Sequence, residues 1–175
     1  MSSSQALSVL LVLTCLLAAN AQAVTIEGVP FVPQATGYYC GPAALSSVFA
    51  YYGVSIDQQT IAEKVYDERI KGALFTDLQD FAHTHGFSAQ LRLGTVDDIK
   101  AYLDDGRPVI VLVDLGFWVF SQSHYLVVTG YTAQGFIAHN GLKASQTFGY
   151  LTFIRIWKRK GSHLLVVSPS PATSS

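Results

Sequence analysis

The residues best suited to chemistry lie between Gln34 and Leu45, a stretch that contains one cysteine. Cys40 is the only cysteine left once the N-terminal segment is set aside, so it has no intrachain disulfide partner. Pro42 and an apolar run follow it, which predicts that Cys40 stands at the N-terminus of a helix. Free N–H groups and the helix dipole lower the pKa of a thiol placed there. The pattern therefore favours a reactive thiolate over an inert buried cysteine.

Gln34 is the candidate for stabilising a negatively charged oxygen. It lies six residues before Cys40 on a loop that contains a glycine, close enough for its amide to face the space in front of the sulfur. A neutral amide donor at such a position can stabilise an oxyanion during acyl transfer. The alternative for Gln34 is an ordinary surface glutamine.

Two further candidates, His124 and Asn140, come from far along the chain. The histidine begins one predicted strand, the asparagine ends the next, and a hairpin turn is expected between Thr132 and Gly135. The two residues should therefore be cross-strand neighbours. A cysteine, a histidine and an orienting amide form an acyl-transfer constellation. His139 should point to the opposite face from Asn140, which makes it a weak substitute for His124.

Gln34, the segment Tyr39-Cys40-Gly41-Pro42-Ala43 and the segment from His124 to Gly130 resemble the bacteriocin-processing cysteine peptidases that cleave double-glycine leaders. The resemblance spans about Val29 to Trp157. It implies a papain-like fold and cleavage after a small-residue pair such as Gly-Gly in a leader or precursor peptide. It also implies an association with export machinery, here with the peptidase as a stand-alone form without the ABC transporter part.

One departure concerns the third triad position, where the family usually has Asp-Pro and this chain has Asn140-Gly141. Asparagine can accept a hydrogen bond from the imidazole but carries no full negative charge. The cleft is expected to involve Trp118 in an aromatic loop, with Tyr39 and Gly41 beside the cysteine.

The predicted elements give an α+β fold in which N-terminal helices pack in a two-layer arrangement on a mostly antiparallel sheet. The strand Pro108–Asp114 is continuously apolar and should be central. Residues 147–157 favour a helix on the basis of the resemblance, although their β-branched content would also suit a strand. The expected helices lie at about 40–52, at 55–66 (capped by Ser55 or Asp57), at 77–85 (capped by Thr76) and from Thr95. The expected strands lie at 87–93, 124–130, 134–140 and 163–167.

The composition argues against several classes of function. The chain has 175 residues, a net charge of −1 and 13% charged residues, and its one basic cluster, Arg155 to Lys160, suits a solvated helix end. Nucleic acid is therefore not an expected partner. His83 and His85 are two apart on a predicted helix and do not share a face. No metal and no cofactor is predicted.

The N-terminal segment, residues 1–23, has the features of a secretory signal peptide cleaved after Ala23. An apolar run at 6–19 leaves membrane association or lipid anchoring at Cys15 as alternatives. An exported protein, periplasmic or extracellular, is expected, with the peptidase domain at 24–167 and a disordered tail at 168–175.

Two other functions fit the same residues. One is a different thiol acyl-transfer enzyme, such as a transpeptidase or a cell-wall amidase. The other is a catalytically weak module that keeps the cleft to bind glycine-rich peptides. The main prediction is a thiol peptidase that acts on a peptide or protein with small residues at the cleavage site.

Overall fold

The computed structural model describes residues 23–116 and 120–171. The helices are α1 (Cys40–Tyr51), α2 (Gln58–Val65), α3 (Phe75–Thr84), α4 (Val96–Asp104) and α5 (Tyr150–Lys158). The strands are β1 (Val24–Thr25), β2 (Tyr66–Asp67), β3 (Gly72–Ala73), β4 (Phe87–Leu93), β5 (Val109–Asp114), β6 (Ser123–Tyr131), β7 (Gly135–His139), β8 (Gln146–Gly149) and β9 (His163–Pro169). None of the helices in these ranges has the length and hydrophobicity that a membrane crossing requires.

The main sheet is antiparallel throughout, with the strand order β4-β9-β5-β6-β7-β8. The short β1 pairs with the end of β6, where Val24 lies opposite Tyr131. The central position predicted for β5 is confirmed, since it lies between β9 and β6 and nearly all its residues are buried. Its apolar run is therefore explained by burial on both faces of the sheet.

Helices cover both faces of this sheet. The first face packs α1, α2 and α3 against Ile110, Tyr125 and Val127. The second face packs α4 and α5 against Val111 and Leu126. The predicted α+β class with N-terminal helices on an antiparallel sheet is confirmed, but the two-layer arrangement is wrong. The amphipathic helices α4 and α5 form a third layer because their apolar residues also need a sheet face to cover.

The N-termini of the helices follow the prediction at α2 and α4 and depart from it at α3. Asp57 accepts the backbone N–H of Thr60 at 2.8 Å and caps α2. Thr95 and Asp98 form a reciprocal capping box at α4. Helix α3 begins at Phe75 with no side-chain cap, so the cap predicted at Thr76 is wrong. The early start suits packing, since the Phe75 ring lies 4.9 Å from that of Tyr125.

The segment 147–157 contains both structures that its sequence favours. Its first residues belong to β8, and α5 begins at Tyr150 with Gly149 as its N-cap. Phe153 and Trp157, four residues apart, are buried on one face of that helix. The final strand runs to Pro169, past the end predicted at Val167. The predictions for residues 1–22 and 172–175 lie outside the described residues.

Candidate active site

Cys40 is the first residue of α1, as the position of Pro42 predicts. Its side chain is largely buried in the core that α1 forms with the sheet. Burial raises the pKa of the Cys40 thiol, and the backbone N–H groups of Tyr125, Gly41 and Cys40 itself offset only part of that effect. The expected lowering of this pKa is therefore wrong for the free protein, because desolvation penalises the thiolate more than the N–H groups favour it.

An apolar groove opens in front of Cys40. Its volume is about 480 Å³, and Cys40 lies in its wall together with Leu74, Leu112 and Tyr125. Among the described residues that line the groove, Lys71 is the only lysine, arginine, aspartate or glutamate. A groove of this size and character suits an extended peptide with apolar side chains.

His124 is the second residue of β6, where it pairs with Val113 of β5. Its imidazole is buried, and its Nε2 is hydrogen bonded to the main-chain carbonyl of Asn140. A carbonyl only accepts, so Nε2 carries the proton and Nδ1 is the basic nitrogen. Nδ1 forms no hydrogen bond within the described part of the chain. Burial lowers the pKa of His124, and the Asn140 carbonyl acts in the opposite direction.

The side chain of Asn140 does not face His124. Its Oδ1 accepts the backbone N–H groups of Leu142 at 2.9 Å and Lys143 at 2.6 Å. Its Nδ2 donates to Oε1 of Gln146 at 2.6 Å. The amide predicted to hold the imidazole instead organises the turn after β7, and the backbone of the same residue holds the imidazole. Sequence patterns do not separate these two roles, because both belong to one position.

Cys40 and His124 approach the same end of β6 from different sides. Tyr125 and Val127 belong to the core that contains Cys40, whereas Leu126 and Val128 belong to the opposite core. Strand alternation places His124 with Leu126. Tyr125 connects the two residues. It directly follows His124 in the chain, and its backbone N–H favours the Cys40 thiolate. Among the described residues, no hydrogen bond joins the Cys40 thiol to His124.

His139 lies on the cysteine's side of the sheet. It pairs with Val127 and lines a small cavity of about 10 Å³ together with Cys40. Its Nδ1 accepts the N–H of Ser145 at 3.0 Å, and its Nε2 donates to the carbonyl of Val29 at 3.1 Å. Both ring nitrogens are thus occupied in one neutral tautomer. His139 is nearer to Cys40 than sequence alternation alone suggests, but it has no free nitrogen with which to act as a base.

Gln34 is placed beside the turn that follows Asn140. Its backbone N–H donates to the carbonyl of Gly141 at 2.9 Å, and its Nε2 donates to the carbonyl of Thr36 at 2.8 Å. A Cβ at position 141 would lie 2.6 Å from Oε1 of Gln34, so a glycine makes room for this side chain. Gly141 also has φ of +76°, which glycine adopts without strain. Within the described ranges, the second amide N–H of Gln34 has no acceptor.

The other residues predicted at the cleft have different positions. Gly41 is buried, and a Cβ there would lie 3.2 Å from the Tyr125 ring, so glycine allows α1 to approach β6 closely. Tyr39 packs edge-on against the Tyr66 ring at 6.0 Å and does not line the groove. Trp118 lies outside the described residues. Tyr125 is not among the residues predicted at the site, although its position directly after His124 in the sequence could have indicated it.

The fold is similar to those of several solved structures. A candidate C39-like peptidase from Bacillus anthracis has a TM-score of 0.70 at 16% identity, with 85% of this chain and 98% of that chain covered. The peptidase domain of Streptococcus ComA, a bi-functional ABC transporter involved in quorum sensing, has a TM-score of 0.67 at 23% identity, with 79% and 97% covered.

A third similar structure is a double glycine motif protease from an AMS/PCAT transporter in complex with the leader peptide. Its TM-score is 0.66 at 18% identity, with 85% of this chain and 99% of that chain covered. A search of curated protein sequences finds no match to this chain.

These likenesses define the class of fold, which is that of the papain-like peptidases, with helices packed on an antiparallel sheet. The sequence profile of the Peptidase_C39 like family matches residues 26–164. The chain therefore belongs to the Peptidase_C39 like family.

Proposed function

We propose that this protein is a thiol peptidase that cleaves a leader or precursor peptide after a small-residue pair. The observation that carries the proposal is the position of Cys40, at the first residue of α1 and in the wall of an apolar groove beside the start of β6. The resemblance assigns the nucleophile to Cys40, which lies in the wall of the groove. His124 directly precedes Tyr125, the residue whose backbone N–H favours the Cys40 thiolate.

The proposed mechanism starts from a neutral pair, because burial opposes charge on both side chains. Nδ1 of His124 takes the thiol proton, while Nε2–H remains bonded to the Asn140 carbonyl. This transfer requires the thiol and the imidazole to meet at the end of β6. Hydrogen bonds of this kind are often long in ligand-free proteins and tighten when substrate binds.

The thiolate of Cys40 then attacks the peptide carbonyl carbon, and the carbonyl oxygen gains the negative charge. The backbone N–H of Cys40 and the unused amide N–H of Gln34 are the proposed donors to that oxygen. The protonated imidazole delivers its proton to the leaving amine, and water then hydrolyses the thioester.

Small residues at the cleavage site are supported by the similarity to a double glycine motif protease. The groove beyond is wide and apolar, so more distant peptide side chains would supply the binding free energy. One similar structure holds a leader peptide, which supports this substrate class.

The proposal also covers the localisation of the protein and the export machinery that would deliver its substrate. We expect a signal peptide to be removed after Ala23, giving an exported protein whose substrate is delivered by separate export machinery. N-terminal sequencing of the secreted protein tests this expectation: a chain that begins at Val24 supports it, and an acylated Cys15 replaces it with a lipid anchor.

The experiment that tests the peptidase is cleavage of Gly-Gly, Gly-Ala and Ala-Ala leader peptides by the mature protein and by Cys40→Ala. Products are identified by mass spectrometry under reducing conditions. Cleavage by the wild type alone supports the proposal and fixes the preferred bond. Transfer of the acyl group to an added amine would indicate a transpeptidase instead.

A second candidate is a module that binds peptides without cleaving them. The observation in its favour is the neutral, buried thiol, which has no hydrogen bond to His124 in the described part of the chain. Peptide binding by both the wild type and Cys40→Ala, with no product from either, would favour this candidate.

A further inference from the structure

The side chain of Gln58 holds the backbone on both sides of Gln34. Its Nε2 donates to the carbonyl of Pro33 at 2.8 Å, and its Oε1 accepts the N–H of Ala35 at 2.8 Å. These are the two residues that flank Gln34 in the chain. One amide side chain thus uses both its donor and its acceptor on the loop that carries the proposed oxyanion donor.

These two hydrogen bonds fix the backbone conformation of Gln34. Peptide groups are planar, so fixing the peptide groups around Gln34 fixes its two backbone dihedrals and the direction of its Cα–Cβ bond. The third constraint is the hydrogen bond from Gln34 N–H to the Gly141 carbonyl at 2.9 Å. Together they hold the base of the Gln34 side chain between α2 and the turn after β7.

Gln58 is itself held by a rigid element. It is the first residue of α2, directly after the cap Asp57. The helix is anchored in the core through Ile61, Ala62 and Val65, which are buried. A site is more accurate when its supporting residues stand on a helix than when they stand on a loop.

We infer that Gln58 is a positioning residue that acts through Gln34 on the acyl-transfer step. The inference rests on the proposed function, since it gives Gln34 the role of oxyanion donor. Gln58 touches neither the nucleophile nor the groove, so its effect is confined to reactions in which a carbonyl oxygen becomes negatively charged.

Two reagents that react with the Cys40 sulfur distinguish an effect on oxyanion stabilisation from an effect on the reactivity of the thiol itself. An N-acetylglycine p-nitrophenyl ester acylates Cys40: the S–C bond forms, the ester C–O bond breaks, p-nitrophenolate leaves with the electron pair and the thiol proton passes to His124. Iodoacetamide alkylates Cys40: the S–C bond forms, iodide leaves and the thiol proton is lost, but no oxyanion develops. The ratio of the two rates therefore reports oxyanion stabilisation alone.

The matched control is Gln59→Ala. Gln59 is the same residue type in the same turn of α2, is exposed, and its side chain forms no hydrogen bond among the described residues. The test variants are Gln34→Ala, Gln58→Ala and the double variant. Gln58→Glu is a second test, because it keeps an acceptor for Ala35 but loses the donor to Pro33.

We expect Gln34→Ala to slow acylation by roughly 10²-fold to 10³-fold. Gln58→Ala should slow it by about tenfold through misplacement of Gln34, and Gln58→Glu by a similar factor. Alkylation should stay within about twofold of the wild type in every variant, and Gln59→Ala should change neither rate. The double variant should match Gln34→Ala, because a residue that acts through Gln34 has nothing left to position.

Several results would overturn the inference. These are an equal fall in acylation and alkylation, a double variant whose loss is the product of the two single losses, and acylation of Gln58→Ala at the rate of Gln59→Ala. Absence of ester acylation in the wild type, or acylation that does not depend on Gln34, would also overturn it. If the wild type cleaves no peptide but its acylation depends on Gln34 and Gln58 as expected, the peptidase proposal fails and the inference stands.

Discussion

The imidazole Nε2 of His124 is hydrogen bonded to the main-chain carbonyl of Asn140, while the Asn140 side chain binds the turn that follows. The residue that stands where related peptidases usually have an aspartate therefore orients the histidine through its backbone. A backbone acceptor is independent of side-chain identity, so a family position can change residue type while the histidine keeps its tautomer.

The first prediction concerns substitution of Asn140. Asn140→Asp keeps the acceptor for Leu142 and Lys143, so kcat/KM should change by less than about tenfold. Asn140→Ala loses the hydrogen bonds of the turn and should cost about 1–3 kcal/mol of unfolding free energy, with a similarly small catalytic effect. Thermal melting and peptide cleavage measure both. A loss beyond roughly 100-fold in a fully folded Asn140→Ala would show that the side chain itself takes part in catalysis.

The second prediction separates the two buried histidines. His124→Ala should abolish cleavage, because the proposed base is lost. His139→Ala loses the hydrogen bonds to Val29 and Ser145 and should cost about 1–3 kcal/mol of stability. The cleavage activity of His139→Ala should stay near that of the wild type when it is divided by the number of thiols. That number is measured by complete alkylation of the protein in urea. Retained activity in His124→Ala would contradict the assignment.

The third prediction is the pH dependence of Cys40 alkylation in the free protein. The pKa of this thiol is raised by burial, so the thiolate forms only above the usual value of about 8.5. Alkylation by iodoacetamide should be slower at pH 7 than for the same chain in urea, and should rise steeply towards alkaline pH.

The lowered pKa of His124 sets the acidic limit of the pH range in which the enzyme should cleave peptides. The neutral imidazole should persist below the usual pKa of about 6.5, so cleavage should decline only at more acidic pH. Rapid alkylation that is flat between pH 6 and 8 would instead indicate a thiolate–imidazolium pair in the resting protein.

The fourth prediction concerns Gly141. In Gly141→Ala the new Cβ would lie 2.6 Å from Oε1 of Gln34, so the amide must move. Acyl transfer should fall towards the level of Gln34→Ala. Gly86→Ala is the matched control, because its φ of +80° imposes a similar backbone strain of about 1–2 kcal/mol with nothing near the new methyl group. Equal activity in the two variants would contradict the proposed role of Gln34.

The fifth prediction tests the groove. Leu74 lines it and is 49% exposed, so Leu74→Asp should not lower the melting temperature, particularly since aspartate is a favourable residue at the N-cap position that Leu74 occupies in α3. The loss of apolar contact should raise KM for a leader peptide by about tenfold, with kcat little affected. Leu151→Asp is the control, since Leu151 is 85% exposed on α5 and lies outside the groove. Equal KM values in the two variants would indicate that the leader peptide does not bind in this groove.

Local sequence determined the helix that carries the cysteine and the strands that carry the histidine and the asparagine. The position of Pro42 set the start of α1, the apolar run at 109–114 set the central strand, and the caps at Asp57 and Thr95 set two further helices. These features depend on residues within a few positions of one another, so patterns in the sequence suffice to predict them. The short strands β2 and β3 and the division at Gly149 lacked such patterns.

Tertiary structure alone decided how the site residues face each other. Whether Asn140 offers its amide or its carbonyl, and which face of the sheet His124 and His139 each occupy, depends on register and on a turn that no single residue specifies. The pKa of Cys40 likewise depends on how deeply α1 packs against Tyr125, so the favourable helix N-terminus predicted from the sequence was outweighed by burial. The contact between Gln58 and the neighbours of Gln34 joins residues more than twenty positions apart. Only the packing of α2 against the N-terminal segment creates it.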